Sequence, residues 1–214
     1  NSERLSGIAS FIGLNILLLF FIITFNYEQF VELPKATANQ LAEETHERVG
    51  AVIGSIVMAI VVIMFYFKGS FNFDKKAKFL KILAQIWVFL NAILVISAML
   101  KNTEYVYYLG LTYKRLGVYA FLSLAIIGLI FTFIKVSKQK TNAYLFNQMF
   151  WYVYGTILVC SFINWGGIIT SHNLKREDFA ANYHFNSVDF NDKQLLEYYQ
   201  KTNNKEMYKI LKDK

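Results

Sequence analysis

A histidine and a glutamate stand side by side at one point in the chain, His46-Glu47. Zinc proteases carry H-E-x-x-H on a helix, where two histidines one turn apart hold the metal and the glutamate acts as general base. Position 50 is Gly50, so the second ligand is missing. A surface histidine beside a glutamate is the simpler interpretation, and the sequence predicts no metal site.

The other ionisable groups lie outside the apolar stretches of the chain. All fifteen carboxylates and all three histidines lie outside those stretches. An ionisable group inside a bilayer is the usual sign of a proton relay or an ion pathway, and intramembrane proteases need such groups as well. Their placement argues against these classes. We therefore expect a non-enzymatic protein with no catalytic residue and no cofactor.

The segment 107–115 differs in kind from the rest of the chain. Gly110 permits a turn, and Thr112 can cap the helix that follows. Arg115 would then lie in the first turn of that helix, where the helix dipole disfavours a cation. We expect a partner that offsets this charge: a carbonyl, a glutamate of the 43–47 cluster or a lipid phosphate, with snorkelling into water as the alternative. The candidate structural or interaction motif is Tyr108, Gly110, Leu111, Thr112 and Arg115.

Long apolar runs must position this motif. Apolar residues make up 55% of the chain and charged residues 17%, against about a quarter in soluble proteins. Five runs are each near the ~20 residues that cross a ~30 Å hydrocarbon core. Only a helix satisfies its own backbone in lipid, so the fold class is all-α, a multi-pass transmembrane bundle of about five spans over residues 1–171. The runs cover 5–25, 49–67, 82–100, 116–134 and 150–170.

Residues 172–214 form a tail of soluble composition with two short predicted helices. Asp192 can cap a helix over 193–201, and a second helix is predicted over 205–212. Such a pair cannot hold a core of its own, so we expect it to dock on the rim of the bundle or on a partner. The apolar faces comprise Leu195, Leu196, Tyr199, Met207, Ile210 and Leu211.

A few polar residues fall within the apolar runs. Hydrogen bonding between helices is the simpler interpretation for them, and a substrate path is the alternative. Cys160 is the single cysteine, which excludes an intrachain disulfide. The polar set is Asn15, Gln85, Asn91, Ser97 and Asn164.

The net charge of +7 follows the loops rather than any nucleic-acid motif, so we expect no nucleic-acid partner. Basic residues concentrate on the cytoplasmic side of membrane proteins. Nine of them share a side with the N-terminus and five lie in the opposite loops, which predicts a cytoplasmic N-terminus and a tail on the far side. The first group is Arg4, Lys68, Lys75, Lys76, Lys78, Lys81, Lys135, Lys138 and Lys140, and the second is Lys35, Arg48, Lys101, Lys114 and Arg115.

The order of these features resembles the bacterial membrane-protein families known as domains of unknown function 4153 and 4173. The resemblance rests on Leu33-Pro34 before an amphipathic helix, on Tyr108-x-Gly110-Leu111-Thr112-x-x-Arg115, on Asn173-Leu174 after the last span, and on the Leu195–Tyr199 tail. It covers about residues 5–200. Members are usually longer, so the chain looks like their C-terminal half or a shortened relative. An aromatic residue is common in the family where His172 stands here.

The resemblance implies a fold and a location but no established activity. We expect a multi-pass protein of the bacterial plasma (inner) membrane that contacts the lipid bilayer. The leading hypothesis is a scaffold or regulatory subunit that binds a protein partner, or another copy of itself, through rim loops and tail. A subunit of a small-molecule or lipid transporter is the alternative.

Overall fold

The computed structural model describes residues 2–31, 38–67 and 70–212, and this part of the chain is helical with no strand. The side chains of 38–48, which include the acidic cluster 43–47, lie outside the described residues, as do Leu33-Pro34 and Thr37. In chain order the helices are α1 Ser2–Val31, α2 Ala38–Tyr66, α3 Ser70–Phe73, α4 Lys78–Leu109, α5 Tyr113–Ser137, α6 Asn142–Ser161, α7 Trp165–Asn173, α8 Ala181–Ser187, α9 Asp192–Lys201 and α10 Lys205–Lys212.

Four helices are long and apolar enough to cross a membrane, and a bent pair makes a possible fifth span. The four candidate spans are Glu3–Tyr27, Val49–Tyr66, Lys78–Leu109 and Tyr113–Ser137. They confirm the all-α class with four to five spans, and long apolar helices of this kind make the chain a membrane protein by length and composition.

The sequence predicted one continuous helix over the apolar run 150–170, but the structure divides this run between two helices. It contains the end of α6 and most of α7, which meet at an angle of 68°. Asn164 causes the break locally, because its Oδ1 accepts a hydrogen bond from Gly167 N at 2.8 Å and so starts a new helix as an N-cap. The Trp165 indole N–H donates to Cys160 O across the break at 2.8 Å.

Helix α4 lies at the centre of the bundle and packs against α1, α2 and α5. Small side chains allow close approach, since Ala84 and Ala98 on α4 and Ala59 on α2 are fully buried. Large apolar side chains cover the outer faces of α1, α2 and α6, where a soluble protein would carry polar ones. That pattern fits helices surrounded by lipid.

The polar side chains of the spans mostly donate hydrogen bonds to backbone carbonyls. Asn15 Nδ2 donates to Leu83 O at 3.1 Å, and Gln85 Nε2 donates to Ser137 Oγ at 2.8 Å, so both link two helices. Asn91 and Ser97 instead donate to carbonyls of their own helix. The expected hydrogen bonding between helices therefore holds for Asn15 and Gln85 only.

The end of the bundle where α2 and α5 finish has its own buried cation. Lys135 is fully buried, and its Nζ donates to Phe67 O at 3.1 Å, just beyond the end of α2. Asn142 Nδ2 donates to Met64 O at 3.3 Å on the same helix end. Side chains from later helices thus satisfy carbonyls that α2 leaves without partners.

The tail reaches the bundle through α7, which packs against α5 and α9, while α8 and α10 pack on α9. Leu195, Tyr199 and Leu211 form a small buried cluster, whereas Ile210 is 47% exposed. All residues of this cluster belong to the tail, so α9 and α10 bury their apolar faces in a small core of the tail itself and not on the rim or a partner as expected. Helix α8 was not predicted, and the predicted Asp192 cap is wrong: Asp192 is the first helical residue and Asn191 precedes it as N-cap without a side-chain cap hydrogen bond.

Candidate functional site

The turn between α4 and α5 is the centre of the tail-side rim, the end of the bundle on which the tail packs. Gly110 ends α4 with φ +81°, a left-handed conformation that favours glycine, and its N–H donates to Val106 O at 2.8 Å. Thr112 is the N-cap of α5, and its Oγ1 accepts a hydrogen bond from Arg115 N at 3.4 Å. The chain therefore reverses direction within three residues.

Arg115 turns back from α5 toward the end of α4. Its Nη1 donates to Leu109 O at 2.8 Å and also to Gly110 O. Its guanidinium carbon lies 3.9 Å from the centre of the Tyr105 ring, a cation–π contact. The negative end of the α4 dipole therefore offsets the unfavourable start of α5, and backbone carbonyls are the partner that the Arg115 position requires.

Arg176 approaches the same helix end from the tail. Its Nη2 donates to Tyr108 O at 2.8 Å, and its Nη1 donates to Tyr107 O. Asp178 holds the guanidinium from the other side, with both carboxylate oxygens at 2.9 Å. Hydrogen bonding from Arg176 keeps the pKa of the Asp178 carboxyl below its usual value. The two arginines together bind the carbonyls of residues 107 to 110.

Asn173, the last residue of α7, pairs with the backbone of the turn. Its Oδ1 accepts from Leu111 N at 2.7 Å, and its Nδ2 donates to Leu111 O at 2.8 Å. Both residues are buried. A Cβ on Gly110 would come within 2.8 Å of Asn173 Oδ1, so glycine is required there for space as well as for φ. The side chain of Asn173 thus fastens the tail to the turn.

His184 of α8 extends this hydrogen-bonded network into the tail. Its Nε2 lies 3.1 Å from Asn173 Nδ2, and its Nδ1 lies 3.0 Å from Thr170 Oγ1. The Asn191 amide donates to Thr170 Oγ1 and to His184 O, both at 2.9 Å. Since Asn173 Nδ2 can only donate, His184 Nε2 accepts, and the proton of the neutral ring resides on Nδ1. Burial lowers the pKa of His184 below 6.5, so the neutral form is favoured.

Gly166 in the first turn of α7 brings two backbone segments into contact. A Cβ there would lie 1.7 Å from Asp189 O, closer than any side chain can be accommodated. The Tyr113 hydroxyl donates to the same carbonyl at 3.4 Å. The segment before α9 therefore lies against both α7 and the start of α5.

The polar side chains of this rim mainly hydrogen-bond to backbone groups, and they are not arranged as an acid–base pair. Within residues 2–31, 38–67 and 70–212 there is no group of three or more His, Cys, Asp or Glu that could hold a metal. The arginines, Asn173 and Asn191 donate to carbonyls, and His184 is held between an amide and a hydroxyl. The arrangement is suited to holding the tail in one position on the rim.

All five residues of the sequence motif lie in this turn. Gly110, Leu111, Thr112 and Arg115 contribute through the contacts above, while Tyr108 contributes its carbonyl and leaves its ring half exposed. Sequence reasoning did not single out Arg176, His184, Thr170 or Asn191. The resemblance had marked Asn173, and its place at the end of an apolar run was a usable signal. A single basic residue beside Lys175 carried no signal for Arg176.

Comparison with known proteins agrees with this order of features. The model of the family described as a domain of unknown function (DUF4153) matches residues 1–195, which include the turn, Asn173, Arg176 and His184. Neither the curated proteins nor the solved structures give a match to this chain. Because the match extends over most of the sequence, the chain belongs to the DUF4153 family.

Proposed function

We propose that this chain is a non-enzymatic membrane scaffold or regulatory subunit that binds a protein partner, or a second copy of itself, through the tail-side rim and the tail. The proposal is carried by the attachment of the tail: Asn173 pairs with Leu111, and Arg176 binds the end of α4. A tail held this firmly presents a fixed surface, which lowers the entropy that a partner must overcome on binding.

The exposed aromatic side chains of this end support a binding role. Phe190 is 81% exposed with φ +58°, an uncommon conformation for a residue other than glycine. Asn164 Nδ2 donates to Phe190 O at 2.9 Å and holds that backbone in place. Tyr107 is 75% exposed beside the arginine site. Aromatic residues are enriched at protein interfaces, and here they stand on rigid backbone.

The proposal is tested by purifying the full chain in a mild detergent and identifying what accompanies it by quantitative mass spectrometry. We expect a stoichiometric protein partner, or a stable dimer of the chain itself. Gly166→Ala should lose the partner because it pushes the tail off α7, whereas Gly155→Ala, which has open space around it, should keep it. A lone monomer from both parent and controls contradicts the scaffold.

We further propose that the chain resides in the bacterial plasma (inner) membrane with its N-terminus cytoplasmic and its tail extracytoplasmic. The support is the excess of basic residues on the N-terminal side. Single cysteines at Ser70 and Ser187 in a Cys160→Ser background should react oppositely with an impermeant maleimide added to cells. Labelling at position 70 without labelling at position 187 inverts the topology.

A transporter subunit is the second candidate. Three buried atoms in α1 and α4 lack hydrogen-bond partners among the described residues, namely Asn15 Oδ1, Asn91 Oδ1 and Trp87 Nε1. Such atoms cost free energy unless a water or a bound molecule satisfies them. Asn91→Leu should abolish uptake if these atoms line a substrate path. If Asn91→Leu leaves uptake unchanged and raises the thermal stability of the protein, the transporter hypothesis is wrong.

A further inference from the structure

A cavity of about 460 Å³ opens at the tail-side rim between α2, α4 and α5. Val49 of α2, Asn102 and Tyr105 of α4, and Lys114 and Arg115 of α5 line it, and Tyr183 of α8 adds a wall from the tail. This space adjoins the small gap around Asn173 and His184, with which it shares Thr112 and Tyr183 as lining residues.

The described lining of the cavity is basic. Lys114 and Arg115 both line it, and none of the lining residues that the structure describes carries a carboxylate. Arg115 uses Nη1 for the end of α4 and still lines the cavity. An anion with hydrogen-bond acceptors in this cavity would meet the positive charge of both side chains.

The position of the cavity indicates which anion is available. Val49 begins the apolar run of α2 and Tyr113 is the first residue of α5, and both line the cavity. The ends of spanning helices lie at the level of lipid headgroups, where tyrosine rings and basic side chains are favoured. The first-turn N–H groups of α5 add a partial positive charge at the same place.

We propose that this cavity binds a phosphate group, supplied by the headgroup of an anionic phospholipid. The phosphate lies between Lys114 and Arg115, with the hydroxyl of Tyr183 and the start of α5 as further donors. Because Tyr183 belongs to the tail, the site is complete only when the tail is docked. Lipid binding and tail docking therefore stabilise each other.

Lys114 is the residue to test, because Arg115 also holds the end of α4. Lys114 stands in the first turn of α5, where the dipole disfavours its charge, so Lys114→Gln should leave the lipid-free protein as stable as the parent or slightly more so. Weaker binding by this variant cannot then be attributed to a damaged fold. Lys175→Gln is the matched control, since Lys175 is exposed and lies away from this cavity.

The experiment is native mass spectrometry of the delipidated full chain in detergent, with three probes added separately. They are phosphatidylglycerol, a diacylglycerol with the same acyl chains, and inorganic phosphate. We expect one retained phosphatidylglycerol per chain and no retained diacylglycerol. Lys114→Gln should weaken phosphatidylglycerol binding by about fivefold, the effect of one basic residue near an anionic membrane surface, and Lys175→Gln should not.

Inorganic phosphate separates a lipid source from a soluble one. If it raises the melting temperature of the parent but not of Lys114→Gln, and phosphatidylglycerol binds no better than diacylglycerol, the site takes a soluble phosphate. Equal retention of phosphatidylglycerol and diacylglycerol with no effect of phosphate overturns the proposal. So does equal loss of binding in Lys114→Gln and Lys175→Gln.

Discussion

Arg115 and Arg176 bind consecutive carbonyls at the C-terminal end of α4, Arg176 at residues 107 and 108 and Arg115 at 109 and 110. A helix leaves its last four carbonyls without intrahelical partners, and Val106 is satisfied here by the Gly110 N–H. Two guanidinium groups from different parts of the chain thus satisfy the carbonyls at one helix end. The negative end of the helix dipole stabilises both positive charges.

Removing either guanidinium should therefore destabilise the protein clearly. We expect Arg115→Ala and Arg176→Ala each to cost about 1.5–3 kcal/mol, the range for hydrogen bonds to a charged group. Arg115→Lys should recover only part of the loss, since lysine keeps the charge but not the planar fork. Thermal unfolding in detergent measures the effect, and Lys175→Ala is the control. An Arg115→Ala protein that melts like the parent means that the carbonyl contacts contribute nothing.

The buried His184 should make tail docking sensitive to acid. Its pKa in the folded chain lies below 6.5, so between that value and 6.5 the unfolded tail binds more protons than the folded one. Stability is therefore fully present above about pH 6.5 and falls as the pH is lowered through that window. A fluorophore at Ser187→Cys, in a Cys160→Ser background, reports the melting of the tail.

His184→Gln should flatten this pH dependence, because glutamine has a donor and an acceptor but no proton to gain. The Asp178 carboxyl has a lowered pKa, so its contribution is lost only below its usual range near 3.8 and does not overlap the histidine window. If tail melting is independent of pH between 7.5 and 5.5 in the parent, the histidine is not held neutral by the docked tail.

Gly166→Ala should detach the segment before α9. The added Cβ would lie 1.7 Å from Asp189 O, a backbone atom that cannot rotate away as a side chain could. Gly155→Ala is also a glycine-to-alanine change in a helix but meets nothing within 4 Å, so a loss of stability in Gly166→Ala alone reports the contact. We expect Gly166→Ala to be less stable by about 1–3 kcal/mol, the cost of overpacking. Equal melting temperatures would mean that these segments are not in contact.

The apolar cluster of the tail should control its resistance to protease. Leu195 is 1% exposed and Leu211 is 5% exposed, so serine at either position leaves a buried hydroxyl and removes apolar contact. Limited proteolysis should cut the tail of these variants while the spans stay intact. Ile210→Ser changes a half-exposed residue of α10, the helix that also carries Leu211. We expect this variant to be cleaved at the same rate as the parent. Unchanged cleavage of the leucine variants would show that this cluster does not hold the tail helices together.

The sequence predicts the local features of the rim well. Alternation of apolar runs and charged loops marks the helices, Gly110 indicates the turn, and Thr112 is a recognisable start for α5. These features depend on residues within a few positions of one another. The charge of Arg115 next to an unfavourable dipole also indicated that some partner must exist, though not which one.

The contacts made by the tail could not be predicted in the same way. Asn173 binds the backbone N–H and carbonyl of Leu111, 62 residues away. Arg176 binds the carbonyl of Tyr108, 68 residues away. A backbone carbonyl has no side-chain signature, so nothing in the sequence identifies it as an acceptor for a distant arginine. The break at Asn164 was missed for a related reason, because the apolar run through 150–170 hides a capping asparagine among residues that suit a continuous helix.

Hydrogen exchange at the Leu111 amide tests the fastening of the tail most directly. Leu111 lies between α4 and α5, and its N–H donates to the Asn173 side chain at 2.7 Å. We expect slow exchange in the parent and fast exchange in Asn173→Ala, with no change in Asn186→Ala, whose amide bonds only within its own helix at Asn182 O. Fast exchange in the parent, or equal protection in Asn173→Ala, would show that the tail is not held to the turn and would contradict the account.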